Sequence, residues 1–251
     1  MNLVIITALG VGGATIFGAI IGMCFKKIPH EWNDAILGFA AGIMMAAAML
    51  GLIMPAVEIT GASGIWQVVI GILAGAVFLN LMDKMTPHLH HISGMDQELH
   101  KNNASLNKVL LFVFAIAIHN LPEGMAAGVG FGSGDVDHAI LVAIGIALQN
   151  IPEGMVIISP MLLAGISKKR TFVIAMITGL VEVVGTFIGY LGGSISTVVL
   201  PFALSFAGGT MLYVVGDEMI PETHSHGYER RATYSLIIGF IVMLVMDACI
   251  V

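Results

Sequence analysis

His119-Asn120-Leu121-Pro122-Glu123-Gly124-Met125 is echoed thirty residues later by Gln149-Asn150-Ile151-Pro152-Glu153-Gly154-Met155. Each copy sets an amide, a carboxylate and a proline inside a long apolar segment. Ionisable groups in such a segment are rare and mark a functional site by default. The spacing supplies the geometry: His119 and Glu123 are four apart and Asn120 and Glu123 three apart, so each pair can converge on one point from one helix. Gln149 with Glu153 and Asn150 with Glu153 repeat that relation.

Composition says what surrounds the doubled motif. Of 251 residues 57% are hydrophobic and only 10% charged, and the mean hydropathy is +0.97, an apolar excess beyond what a soluble core needs. The chain therefore reads as a single all-α, multi-pass membrane domain over residues 1–251, placed in the cell (inner or plasma) membrane. Runs near the ~20 residues that a helix needs to cross a hydrocarbon core give eight segments, near 3–25, 34–54, 64–83, 108–131, 138–165, 171–191, 198–220 and 233–251. The first has no basic residue ahead of its apolar run, so it reads as a span and not as a secretory leader.

Charge then orients the spans. With eight of them, all 10 basic residues fall on one side: Lys26 and Lys27, Lys84 to Lys108, Lys168 to Arg170, and Arg230 with Arg231. The loops near 55–63, 131–137 and 191–198 carry none. The positive-inside rule makes the first set cytoplasmic and puts both termini outside. Seven or nine spans would scramble this pattern. The two cysteines, Cys24 and Cys249, fit no disulfide framework or thiolate metal site.

The paired motifs lie on consecutive, antiparallel spans. A weaker similarity links Phe39-Ala40-Ala41-Gly42 and Met54-Pro55 with Phe206-Ala207-Gly208-Gly209 and Ile220-Pro221. Both pairings fit inverted repeats around a central pair, an arrangement of transporters with a site near the midplane. Lys108 to His119 is eleven residues, Asp137 to Gln149 twelve and Thr171 to Glu182 eleven, each ~16–18 Å of helical rise. In a core ~30 Å thick, three spans deliver polar groups to one level.

The candidate metal ligands are His119, Asn120, Glu123, Gln149, Asn150, Glu153 and Glu182, with Met44 as a thioether candidate at similar depth; in a chain with 17 methionines, composition alone favours ordinary packing for Met44. One cluster would use His119 and Gln149, the other Asn120, Asn150 and Glu182, with Glu123 and Glu153 shared. Mixed imidazole, carboxylate and amide ligands suit Zn²⁺, Fe²⁺ or Mn²⁺ better than Ca²⁺ or Mg²⁺. Pro122 and Pro152 have no N–H for the carbonyls of Ile118 and Leu148, so kinks are expected there. Glu58 could line an entrance, and Asp217, Glu218 and Glu222 an exit. The only long loop, 85–107, holds His88, His90, His91 and His100, as suited to a solvated segment as to weak cation capture; His224 and His226 invite the same reading.

At these residues the chain resembles the ZIP (Zrt/Irt-like) divalent-metal transporters, most closely their bacterial, GufA-like members. The resemblance covers essentially the whole chain and implies import of divalent transition metals into the cytoplasm, zinc above all, with iron, manganese and cadmium as further substrates. It carries the metal-site roles onto the eight residues above. It also implies a three-plus-two-plus-three helix arrangement, a homodimer in the lipid bilayer, and an elevator-like or rocking motion. Many relatives carry histidine where Gln149 stands and some aspartate where Asn150 stands, so this chain's second copy has less negative charge. No enzyme activity and no nucleic-acid partner are expected. An intramembrane metalloprotease would show His-Glu-x-x-His on one helix, which is absent, and a cation channel would be told from a carrier by nearly linear, much faster flux.

Overall fold

The computed structural model describes residues 2–25, 28–85, 120–132, 134, 136–163, 166–194 and 198–250, and every regular element among them is helical. The histidine-bearing loop and His119 lie outside the described residues. Six described helical stretches are long and apolar enough to cross a membrane: Asn2–Cys24, His30–Met82, Val136–Ile158, Lys168–Ser194, Leu200–Thr223 and Glu229–Cys249. Large apolar side chains such as Ile6, Trp66, Leu191 and Tyr234 stand exposed on their outer faces, a surface suited to lipid or to another apolar face and not to water.

The second stretch is too long for one crossing. Its 53 residues would rise ~80 Å as a single helix against a hydrocarbon core of ~30 Å. It breaks at Gly61, whose φ of 58° and ψ of −170° are open to glycine and strained for residues with a Cβ. The break falls in the interval that hydropathy leaves between 54 and 64.

Helix α1 is Asn2–Cys24, α2 His30–Ala46, α3 Met54–Met85, α4 residues 120–132, α5 Val136–Leu163 and α6 Lys168–Ser194, followed by α7 Leu200–Val214, the single turn α8 Ile220–Thr223 and α9 Glu229–Ile250. Two π-helical segments interrupt the series, Ala47–Ile53 between α2 and α3, and Val215–Met219 between α7 and α8. Each runs into a proline, Pro55 or Pro221. Because proline cannot donate to the carbonyl four residues back, the hydrogen-bond register has slipped: the N–H of Met54 reaches the carbonyl of Met49, and that of Ile220 the carbonyl of Val215. Such π segments concentrate at functional sites. At Pro152, by contrast, α5 is assigned as one uninterrupted α-helix.

Glycines let the helices approach backbone to backbone. Helix α1 packs on α5 and α6, α2 on α9, and α3 on α7, while α4 lies against α6, where a Cβ on Gly124 would strike the carbonyl of Glu182. The main core, built around Met44, Leu52, Leu141, Ile146, Met211 and Met243, joins α2, α5, α7, α9 and the first π segment. It places the polar cluster beside a packed apolar wall.

Candidate metal centre

Three helices supply the cluster. Helix α4 contributes Asn120 and Glu123, α5 contributes Gln149, Asn150 and Glu153, and α6 contributes Glu182. Asn120, Glu123, Gln149, Asn150 and Glu182 are all buried, a placement that charged and amide side chains tolerate only when hydrogen-bonded or coordinating. The glycine after each glutamate makes the approach possible. A Cβ on Gly124 would meet the Glu182 backbone, and one on Gly154 the backbone of Thr15.

Glu182 is the hub of the hydrogen bonds. The Thr15 hydroxyl donates to Glu182 Oε1 at 2.6 Å, Asn120 Nδ2 donates to the same oxygen, and Asn150 Nδ2 donates to Oε2 at 2.6 Å. Asn150 also donates, at 3.3 Å, to the carbonyl of Val11. A carboxylate offers only acceptors, so both amides must turn their nitrogens toward it. One carboxylate thereby ties α1, α4, α5 and α6 together.

The other half of the cluster is left open. Among the described residues, Glu123 Oε2, both polar atoms of the Gln149 amide, and Asn150 Oδ1 are buried with no partner at full hydrogen-bond geometry, though the Gln149 amide lies near enough to Glu123 to act on it. Glu153, Glu182 and Glu218 all act electrostatically on Glu123, and Glu153 acts on Glu182 as well. Four acids thus share one low-dielectric region, where their mutual repulsion is far less screened than in water. A cation is the natural complement. Among the described residues no three His, Cys, Asp or Glu side chains form a ready-made site.

Of the residues expected from sequence, Asn120, Glu123, Gln149, Asn150, Glu153 and Glu182 are brought together. His119 lies outside the described residues, and Met44 is fully buried in the main core. Glu218, expected only near an exit, belongs with the central acids through the second π segment, whereas Asp217 and Glu58 are exposed. Thr15 is the residue that sequence reading missed. Its signal was present as Gly12-x-x-Thr15-x-x-Gly18, which matches Gly179-x-x-Glu182-x-x-Gly185 position for position.

Apolar helices that bury carboxylates and amides at their crossing define a multi-pass membrane protein of cation transport. A family model described as "ZIP Zinc transporter" matches residues 94–247. The chain is 38% identical over 249 residues to zinc transporter GufA of Myxococcus xanthus, covering 97% of each protein. It is 35% identical to zinc transporter ZIPB of Bordetella bronchiseptica, over 94% of this chain and 78% of that protein. With zinc transporter ZupT of Streptococcus mutans the identity is 34%, over 96% and 94%. The chain belongs to the ZIP family of zinc transporters.

Proposed function

We propose that this protein carries Zn²⁺ into the cytoplasm through a centre between α4 and α5, and that Fe²⁺, Mn²⁺ and Cd²⁺ are further substrates. The observation that carries this reading is the set of buried atoms without hydrogen-bond partners among the described residues, Glu123 Oε2, the Gln149 amide and Asn150 Oδ1, gathered among acids that repel one another. His119, Glu123, Gln149 and Glu153 form the principal seat, with Met44 as its soft neighbour. Asn120, Asn150 and Glu182 line a second position across the shared glutamates. Partly neutral ligands suit passage better than storage, because a carrier must also release its cargo.

The proposed architecture is eight spans in a three-plus-two-plus-three inverted repeat with both termini outside. Matched contacts support it: Gly18 abuts the carbonyl of Ile151 as Gly185 abuts that of Leu121, and Gly22 abuts Met155 as Gly189 abuts Met125. The break at Gly61 supports counting His30–Met82 as two spans. The Glu182 hydrogen bonds favour α1, α4, α5 and α6 moving as one unit against the pairs α2–α9 and α3–α7, within a homodimer.

The test is uptake of radiolabelled Zn²⁺ by liposomes holding the purified protein, with Mn²⁺, Fe²⁺ and Cd²⁺ as competitors. Saturable uptake that Glu123→Ala and Glu153→Ala each nearly abolish is expected, with both variants still inserted. Retained uptake in both variants would sink the assignment.

A further inference from the structure

We propose that Thr15 is a positioning residue that holds Glu182 away from the metal, so that this chain operates with one ion in its centre and opens the second position only when Thr15 lets go. The inference rests on the transport reading above and concerns how many ions the centre holds.

Three of the four lone-pair positions on the Glu182 carboxylate are taken by protein donors: Oε1 by Thr15 and Asn120, and Oε2 by Asn150. These are charge-assisted hydrogen bonds inside a buried site, where they are strongest. The same contacts sort the two amides by end. Their nitrogens face Glu182, and an amide coordinates a cation through its oxygen, so neither asparagine can share an ion with Glu182 without turning over and surrendering its bond. Asn150 Oδ1, in contrast, has no hydrogen-bond partner among the described residues and is left to serve the ion held by the shared glutamates.

Thr15 decides the balance because it comes from outside the doubled motif. It occupies on α1 the place that Glu182 occupies on α6, each three residues before a glycine that abuts the partner helix at Ile151 or Leu121. Where an acid on α1 would have repelled Glu182 and called for a second cation, a hydroxyl satisfies it. Asn150, neutral at its own position, adds a donor to the same end. The result is a polar tie among four helices instead of a second charged seat.

Zn²⁺ bound per chain, measured by equilibrium dialysis with ⁶⁵Zn²⁺ on the full-length protein in detergent, tests this variant against variant, so that ions held elsewhere cancel. Thr15→Val keeps the side-chain shape and removes the hydroxyl; it is expected to bind one ion more than the wild type. Thr15→Val/Glu182→Gln should lose that ion again, and Thr15→Ser should match the wild type. Glu182→Gln alone should bind as many ions as the wild type. Should Thr15→Val not fold, Thr15→Ala carries the same expectation. No gain on removing the hydroxyl, or a loss of one ion in Glu182→Gln alone, would overturn the proposal. Glu123→Gln separates the two readings: if it too loses no ion, the central metal site itself is wrong, whereas if it loses one and Thr15→Val gains none, only the role of Thr15 falls.

Discussion

His226 Nδ1 lies 3.0 Å from Oδ1 of Asp34, a residue 192 positions earlier in the chain whose side chain is wholly buried. The pair ties the first turns of α2 to the turn that precedes α9. His30 stacks on the same imidazole with ring centroids 4.3 Å apart, and Arg231 pairs with Glu31 beside it. A buried carboxylate depends heavily on its partner, since removing one side leaves the other uncompensated. His226→Ala is therefore expected to destabilise the protein by about 1–3 kcal/mol, read as a lower midpoint of thermal unfolding in detergent. Asp34→Asn should recover part of that loss in the double variant. Equal midpoints for His226→Ala and the wild type would remove this latch from the account.

Close backbone contact makes a second prediction. A methyl group at Gly124 or Gly154 would collide with the backbone of Glu182 or Thr15, while one at Gly10 or Gly13 would meet nothing within 4 Å. Overpacking a tight contact costs about 1–3 kcal/mol, sometimes more, and these contacts also set the distance between the proposed metal ligands. Gly124→Ala and Gly154→Ala should give less folded protein and uptake lowered at least about tenfold, with Gly10→Ala and Gly13→Ala as neutral controls. Size-exclusion profiles and uptake per folded chain separate the two effects. Normal profile and normal uptake in Gly124→Ala would mean that α4 and α6 are further apart than described.

Much of this was legible because hydropathy and charge act over whole segments. Runs of apolar residues located α1, α5, α6 and α9, the doubled motif located five of the six clustered side chains, and depth along its span located Glu182. The interval near residue 61 was readable as a break, though the glycine conformation that makes it was not. Two features escaped for physical reasons. The π segments before Pro55 and Pro221 arise from how the backbone absorbs a missing N–H, and the sequence drew attention instead to Pro122 and Pro152. Thr15 escaped because one hydroxyl in an apolar helix has no distinctive spacing until its glycine frame is set against that of Glu182. The pairing of Asp34 with His226 joins residues far apart in sequence, and no local pattern announces it.

Gln149 is the point at which the ligand field can be strengthened. Among the described residues both polar atoms of its amide lack a partner at full hydrogen-bond geometry, and an imidazole in its place would offer the proposed seat a nitrogen that zinc prefers to an amide oxygen. Gln149→His should bind Zn²⁺ more tightly and release it more slowly, so KM and kcat for uptake should both fall, each by roughly three- to tenfold if the gain is about 1 kcal/mol. Initial rates across a zinc series in liposomes give both numbers. A raised KM would place residue 149 away from the ion.

Acidity should act on binding more than on turnover. In the proposed seat the carboxylates of Glu123 and Glu153 and the coordinating nitrogen of His119 must be free of protons to hold a cation, so protons and metal compete for the same atoms. Where one proton is displaced per ion, apparent KM rises about tenfold for each unit by which the pH falls below the titration of that ligand, and kcat stays nearly constant because saturating metal restores the bound form. Metal binding is what acid removes, since protonation takes away the charge that the cation pairs with. Uptake kinetics between pH 7.5 and 5.5, with the internal pH clamped, should show this rise in KM. Glu153→Gln, if it retains measurable uptake, should flatten it by removing one competing group. A kcat that collapses in acid while KM holds steady would instead assign the proton to a step after binding, such as the movement of α1, α4, α5 and α6 as a unit.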